Sequence, residues 1–262
     1  MKWWTEELFI EKADLFLRPM EHRWKIALEE AKWLSRILES YDIYEGKILD
    51  LMCGNGRIAV FLAKRGYEVV GLDFSPRYIS DARRKAEKFD VSDLTKFVVG
   101  DVRDLKKYVS GYGPFDAIIN IWSSIGYYSR EVDEKMFRDA RDLIKPDGVL
   151  IIADTISKEH FLATYSPEYC VEFEDTLILH RIEYDPLTAK IKDLWRFYTK
   201  EKQNWRFLGS VWVQVKLYSL SELNELLQET GWIVKDAYDS LIGLTELRPT
   251  SPINFVAIPK ET

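Results

Sequence analysis

Three apolar segments of this sequence each end in an aspartate, at Asp50, Asp73 and Asp101. The first aspartate is followed by a turn that contains Gly54 and Gly56, in the stretch LDLMCGNGR. Ligands of open α/β sheets bind beyond the carboxyl ends of the parallel strands, so neighbouring strands would place these carboxylates in one crevice. Glycine in such a turn allows the backbone to approach a ligand closely.

Three kinds of ligand could use this arrangement. Residues 54–59 fit the dinucleotide pattern G-x-G-x-x-G/A, with Asp73 as a possible ribose partner, but Asp50 would repel a pyrophosphate. The aspartates could hold a divalent cation, yet no further acidic or histidine cluster completes a shell, and no metal is expected. S-adenosylmethionine fits all three, because it offers cationic groups to Asp50, ribose hydroxyls to Asp73 and an adenine amino group to Asp101.

Alternating strands and helices would position these residues. Apolar residues at helical spacing over residues 3–40 predict helices before the first strand. The segment from Asn55 to Lys64 is predicted to be helical, Ser75 to cap the next helix, and KPDG to form a turn before the fifth strand. The five predicted strands are residues 47–51, 68–73, 95–101, 115–122 and 149–154. Strands separated by helices indicate a parallel sheet covered on both faces.

The pattern changes after residue 165, where alternating and β-branched segments with a DPLT turn predict antiparallel strands. A helix capped by Ser219 or Ser221 and two last strands then complete the core. The predicted fold is α/β: a doubly wound, mainly parallel, seven-stranded Rossmann-like sheet with N-terminal helices and an antiparallel β insertion after strand five. The expected organisation is residues 1–164 for the N-terminal helices and cofactor-binding core, 165–218 for the insertion and 219–262 for the end of the core.

Four segments together resemble the class I S-adenosylmethionine-dependent methyltransferases: LDLMCGNGRIAVFLAKRGYEVVGLDFSPRYI, VVGDVRDL, FDAIINIWSSIGYY and LIKPDGVLIIADT. The resemblance covers roughly residues 40–155. The insertion, the helix after it and the final strand pair are similar to small-molecule members of that superfamily. The resemblance implies the strand order three-two-one-four-five-seven-six, with the seventh strand antiparallel.

The resemblance also implies a role for each residue of the glycine turn and the second strand. Asp50, Gly54 and Gly56 would form the turn under the methionine moiety of S-adenosylmethionine. Asp73 would hold both ribose hydroxyls, and Phe74 would lie beside the adenine.

The residues after strands three and four complete the implied site. Asp101 and the backbone of Val102 would contact the adenine edge, and Ile121 and Trp122 would border the reacting methyl group. The acceptor would lie against aromatic residues after strand four: Trp122, Tyr127 and Tyr128.

Two positions depart from the family pattern, which usually has glycine in place of Met52 and threonine or a similar residue in place of Asn55. Met52 would either crowd the turn or pack against the neighbouring helix. Arg23 could contact the carboxylate of the cofactor or lie in solvent. No catalytic base is assigned, because the three histidines are scattered: His22, His160 and His180.

Composition narrows the function. The net charge of -6 and pI of about 5.3 disfavour a nucleic-acid partner, and no apolar run is long enough to span a bilayer. The expected function is methyl transfer from S-adenosylmethionine to a nitrogen or oxygen of a small molecule, by a cytoplasmic protein that could be a homodimer. The alternatives are an RNA or tRNA methyltransferase and an NAD-dependent oxidoreductase.

Overall fold

The computed structural model describes residues 3–261. Residues 1 and 2 of the predicted segment 1–164, and residue 262 of the predicted segment 219–262, lie outside the described residues. Within that range the strands form two sheets. The strands are β1 (Lys47–Leu51), β2 (Glu68–Asp73), β3 (Thr95–Val99), β4 (Phe115–Ile121), β5 (Ile144–Thr155), β6 (Glu168–Phe173), β7 (Thr176–Asp185), β8 (Lys190–Glu201), β9 (Asn204–Lys216), β10 (Trp232–Ser240), β11 (Thr245–Glu246) and β12 (Ile253–Pro259).

The larger sheet has the order β11-β10-β12-β5-β4-β1-β2-β3. Strands β1 to β5 pair in parallel, whereas β12 is antiparallel to both β5 and β10. This is the strand order that the resemblance implies, and the predicted doubly wound α/β fold is confirmed. The two-residue strand β11 adds an eighth, antiparallel edge strand that the sequence reading did not predict.

Helices cover both faces of this sheet. They are α1 (Trp4–Glu6), α2 (Ala13–Ser40), α3 (Arg57–Ala63), α4 (Pro76–Lys88), α5 (Leu105–Val109), α6 (Arg130–Leu143), α7 (Lys158–Thr164) and α8 (Leu220–Glu229). One apolar cluster joins the sheet to α2, α3 and α4, and a second joins its other face to α5, α6 and α8. Glu7–Glu11 is a π-helical turn, and short 3-10 turns precede β3 and α5. No helix among residues 3–261 is long and apolar enough to cross a membrane.

The insertion forms the second sheet, with the order β6-β7-β8-β9, and every pair in it is antiparallel. Its buried side chains and the N-terminal segment belong to a third apolar cluster, which contains Leu8, Phe9, Phe197 and Val211. The segment before α2 is therefore held between the two sheets, above the carboxyl ends of the parallel strands.

Several predicted boundaries were wrong for identifiable reasons. The strands expected over residues 95–101 and 115–122 end at Val99 and Ile121, because Asp101 caps a 3-10 turn and Trp122 has left-handed backbone. The helix expected from Asn55 begins at Arg57, because the turn before it needs left-handed backbone at Gly54 and Gly56. The KPDG residues lie inside β5 rather than in a turn before it: Ile144 pairs with Phe115 and Val149 with Ala117, so residues 145–148 form a bulge opposite β4.

Candidate active site

One cavity lies beyond the carboxyl ends of β1 to β4, and most of the predicted site residues line it. Those residues are Asp50, Gly54, Asp73, Phe74, Asp101, Val102, Ile121, Trp122, Tyr127 and Tyr128. Gly56 is the exception, because it lies beneath the turn as the N-cap of α3, with φ of 75°. A Cβ there would lie 2.9 Å from Ala82, so Gly56 shapes the turn through packing. We call this space the cofactor cavity.

The glycine turn is fixed to α2. Gly54 has φ of 54°, and a Cβ on it would lie 2.6 Å from Cε of Met20. Asn55 is buried; its Oδ1 accepts a hydrogen bond from Trp24 Nε1 at 3.1 Å. Met52 has φ of 56°, a conformation that glycine adopts without steric cost, which explains why glycine is usual at this position. The Met52 side chain lines the cofactor cavity and packs against the second apolar cluster.

Asp50 is a buried carboxylate with no hydrogen-bond partner among residues 3–261. It is 3% exposed, lines the cofactor cavity, and has the Arg57 and Asp73 charges nearby. Burial raises the pKa of Asp50 to about 7; the Arg57 guanidinium opposes this increase and the Asp73 carboxylate adds to it. A carboxylate in this state can accept a hydrogen bond from a cationic ligand in the cavity.

Asp73 is held in place by backbone donors. Its Oδ2 accepts from Gly54 N and its Oδ1 from Ser75 N, both at 2.9 Å. Burial raises the pKa of Asp73 to about 6, against the effect of these two hydrogen bonds. Each oxygen keeps a second lone pair, so the carboxylate could still accept from two ligand hydroxyls.

Asp101 lies at the other end of the cofactor cavity and already has a partner. Arg103 Nη2 donates to its Oδ2 at 2.6 Å, and Arg103 N donates to its Oδ1 at 2.9 Å. The Arg103 guanidinium also lies over the Tyr128 ring, 4.8 Å from its centroid. An adenine amino group would therefore share the Asp101 carboxylate with Arg103.

The N-terminal segment covers the cofactor cavity, which the sequence reading missed. Phe9, Phe16 and Met20 line it. The Phe9 ring meets Phe74 edge to face at 6.1 Å, and the Phe9 carbonyl accepts a hydrogen bond from Ser75 Oγ at 2.6 Å. The aromatic content of this segment was visible in the sequence, but its helical spacing alone does not show which surface it covers.

Trp122 lies between the cover and a group of buried charges. Its φ is 77°, which is rare for a bulky residue and is typical of functional sites. The Phe16 ring stacks on it at 5.4 Å, and the Arg23 guanidinium lies 4.9 Å from its centroid. Arg23 donates to Glu30 at 2.6 Å and also to Asp154, so it lies neither in solvent nor free toward the cofactor cavity.

Glu30 joins this group to the cofactor cavity, because it also accepts from Arg57, which lines that cavity. Burial lowers the pKa of Arg57, and the Glu30 charge opposes that decrease. Asp154 lies near the end of β5 with φ of 53°. The rule that identified Asp50 and Asp73, a carboxylate at the end of a parallel strand, also applies to Asp154 and could have found it.

A second cavity lies between the parallel core and the antiparallel sheet. It shares four aromatic side chains with the cofactor cavity: Phe9, Phe16, Trp122 and Tyr127. The rest of its wall is mostly apolar, with Asp154, Thr155 and Asp193 among its polar residues. Tyr128, expected beside the acceptor, lines the cofactor cavity but not this one. We call this space the acceptor cavity.

His180 and Asp193 form a pair that the scattered positions of the histidines did not reveal. Nδ1 of His180 lies 2.8 Å from Oδ2 of Asp193, and both side chains are buried. His180 also stacks on Tyr169, with 4.3 Å between the ring centroids. In the part of the chain that the structure describes, no three His, Cys, Asp or Glu side chains are grouped as a metal site would require.

Comparison with known proteins finds that part of this chain is similar to methyltransferases. Residues 48–148 match the family described as Methyltransferase domain. YqeM of Bacillus subtilis (strain 168) is 33% identical over 122 residues, which are 46% of this chain and 45% of YqeM. Erythromycin 3''-O-methyltransferase of Saccharopolyspora erythraea is 31% identical over 134 residues, 49% of this chain and 42% of that protein. The chain thus spans less than half the length of these curated relatives.

Two further matches are a curated RNA methyltransferase and a solved structure. The 23S rRNA (uracil(1939)-C(5))-methyltransferase RlmD of Shewanella woodyi is 41% identical over 61 residues, 23% of this chain and 14% of RlmD. A crystal structure of an S-adenosylmethionine-dependent methyltransferase from Clostridium acetobutylicum superposes with a TM-score of 0.76 at 13% identity, over 89% of this chain and 92% of that one.

The fold is that of the superposed methyltransferase structure, and residues 48–148 match a methyltransferase domain. This matched segment carries the glycine turn and the three aspartates Asp50, Asp73 and Asp101. CalS10 of Micromonospora echinaspora, a structure with S-adenosylmethionine bound, superposes with a TM-score of 0.72 at 18% identity, over 93% of this chain and 97% of that one.

Proposed function

We propose that this chain transfers the methyl group of S-adenosylmethionine to a nitrogen or oxygen atom of a small molecule. The observation that supports this most directly is the contact between the cofactor cavity and the acceptor cavity at Phe9, Phe16, Trp122 and Tyr127. A donor in one cavity and an acceptor in the other would meet at these rings. In-line transfer needs the reacting atoms about 3 to 3.5 Å apart, and aromatic walls favour that by excluding water.

The cofactor cavity suits S-adenosylmethionine, which supplies an electrophilic methyl group on a sulfonium when bound. The unpartnered Asp50 carboxylate would hold the ammonium group, and Asp73 the ribose hydroxyls. Phe74 would pack against the adenine, and the Val102 backbone would contact its edge. Gly54 leaves space for close approach that a Cβ would partly fill. We assign no base, because transfer needs one only when the acceptor atom carries a proton at working pH.

The alternative substrate is RNA, which the match to RlmD raises. Two observations favour a small molecule: the net charge of the chain is -6, and the acceptor cavity is lined by side chains of both sheets. An NAD-dependent oxidoreductase is disfavoured because Asp50 would lie beside the pyrophosphate.

Calorimetric titration of the purified protein with S-adenosylmethionine, S-adenosylhomocysteine and NADH tests the cofactor assignment. We expect micromolar binding of the first two and none of NADH. A screen of small amines, alcohols and phenols for release of S-adenosylhomocysteine then tests the reaction. Binding of NADH alone would refute the assignment.

A filter-binding titration with total RNA over a range of salt concentrations tests the alternative. A complex that persists at physiological salt, together with methyl incorporation into that RNA, would replace the small-molecule assignment. Asp133→Asn is a matched control for variants in the cofactor cavity, because Asp133 is buried, hydrogen bonds to Tyr218 at 2.8 Å and lines neither cavity.

A further inference from the structure

Asp193, on β8, lines the acceptor cavity and has one carboxylate oxygen without a hydrogen-bond partner among residues 3–261. Its side chain is 4% exposed. Oδ2 receives Trp195 Nε1 at 2.5 Å and lies 2.8 Å from His180 Nδ1, whereas Oδ1 has no hydrogen-bond partner among residues 3–261. The two contacts on one oxygen fix the orientation of the carboxylate.

An unsatisfied buried acceptor costs about 1 to 3 kcal/mol, so it needs an explanation. Thr155 Oγ1, on the core side of the same cavity, is also buried without a partner. Two such atoms in the walls of one cavity indicate that a ligand with hydrogen-bond donors completes the site. The ligand would span from the antiparallel sheet to β5.

The surroundings of Asp193 favour a cationic donor over a neutral one. Across residues 3–261, His180 is the only basic side chain within ion-pair distance of Asp193. Lys216 also lines the acceptor cavity, but its ammonium lies over the Tyr218 ring at 4.8 Å. Tyr169 and Trp195 contribute ring surfaces to the same wall, and the faces of such rings attract cations.

We propose that Asp193 binds a protonated amine on the methyl acceptor and thereby selects substrates that carry one. This rests on the proposed function, because it takes the acceptor cavity to be the acceptor site. Asp193 acts as a specificity-determining residue. A protonated nitrogen has no lone pair, so the methyl group goes to a different atom of the acceptor, the one that lies beside Trp122 and Tyr127.

The test compares 2-phenylethylamine with 2-phenylethanol, which share a skeleton and differ in charge. Binding is measured by calorimetry, with and without S-adenosylhomocysteine, for the wild-type protein, Asp193→Asn and the control Asp139→Asn, whose buried carboxylate pairs with Lys135 and lines neither cavity. We expect the wild type and the control to bind the amine at least ~10-fold more tightly than the alcohol. Asp193→Asn should lose that ratio and keep its affinity for the alcohol within about twofold.

Three results would overturn the proposal: equal affinities in the wild type, an amine preference that survives in Asp193→Asn, or no binding of either probe at millimolar concentration. If Asp193→Asn does not fold, Trp195→Phe, which removes one donor to Asp193 Oδ2, is the second variant and should change the ratio of amine to alcohol affinity. The wild-type ratio alone does not separate Asp193 from Asp154, which also lines the acceptor cavity. Loss of S-adenosylmethionine binding with an intact amine preference would count against the proposed function and leave the ligand assignment standing.

Discussion

Replacing Asp50 with asparagine removes a charge from the cofactor cavity and leaves the side-chain volume unchanged. A hydrogen bond to a charged group contributes about 1.5 to 3 kcal/mol, which corresponds to roughly 10- to 150-fold in Kd. No residue among 3–261 hydrogen bonds to the Asp50 carboxylate, so the substitution breaks no side-chain hydrogen bond of the fold. We expect Asp50→Asn to weaken S-adenosylmethionine binding by roughly that factor.

The pH dependence of binding gives this prediction its sharpest test. In the free protein burial raises the pKa of Asp50 to about 7, and a bound cation favours the charged form and lowers it again. The wild-type affinity should therefore fall roughly tenfold per pH unit below about 7. Asp73, whose pKa burial raises to about 6, adds a second step in both proteins. The asparagine variant should lack only the first step.

The measurement is calorimetric titration with S-adenosylmethionine between pH 5 and pH 8. The control is Asp133→Asn, which removes another buried carboxyl whose pKa burial raises to about 6. It should keep the wild-type affinity. The reasoning fails if Asp50→Asn binds the cofactor as tightly as the wild type, or if its affinity changes with pH as the wild-type affinity does.

Three further predictions concern neighbouring residues. Asp73→Asn should weaken cofactor binding by about 10-fold or more in calorimetry while circular dichroism stays unchanged, because one oxygen becomes a donor beside the ribose and the backbone amides; unchanged affinity would contradict the ribose assignment. Gly54→Ala should lower cofactor affinity, since its Cβ would lie 2.6 Å from Met20 Cε, and adding Met20→Ala should restore part of the loss; no recovery would show that the strained φ dominates. Glu30→Gln leaves Arg57 without its partner charge and should lower the unfolding free energy by about 3 to 5 kcal/mol in urea titrations, whereas a change below about 1 kcal/mol would mean that solvent screens the pair.

Local signals in the sequence were sufficient to predict most of the fold. Buried apolar segments located β1 and β2 with their observed bounds, and the serines at positions 219 and 221 located the start of α8, where the structure shows Ser219 as the N-cap. The bulge at residues 145–148 could not be predicted, because it depends on pairing with β4 rather than on the KPDG letters themselves. The edge strand β11 is two residues long and makes too little periodicity to be seen.

The candidate site likewise contains residues that local sequence signals predict and contacts that they do not. Asp50 and Asp73 lie at the carboxyl ends of β1 and β2, and the geometry of parallel sheets brings strand ends together. The His180–Asp193 pair depends on the antiparallel register, in which Trp195 lies opposite His180 and Asp193 reaches it diagonally. The cover formed by Phe9 and Phe16 depends on the insertion packing over the core. Contacts between elements that lie far apart in the sequence produce no local sequence pattern, so they could not be predicted.

The cofactor cavity also links stability to function. The pKa of Asp50 rises from 3.8 to about 7 on folding, so the folded state binds more protons than the unfolded state between those values. Stability of the free protein therefore falls as pH rises from about 4 to about 7, by about 4 kcal/mol from this residue. The left-handed backbone of Met52 lowers the stability by a further ~1 kcal/mol. A cationic cofactor beside Asp50 would remove the larger of these costs, so bound S-adenosylmethionine should raise the melting temperature more at pH 8 than at pH 5.

Asp50→Asn should be at least as stable as the wild type when free at pH 8, and bind the cofactor less well. A variant that is stable but binds poorly would show that this carboxylate is kept for the ligand and not for the fold.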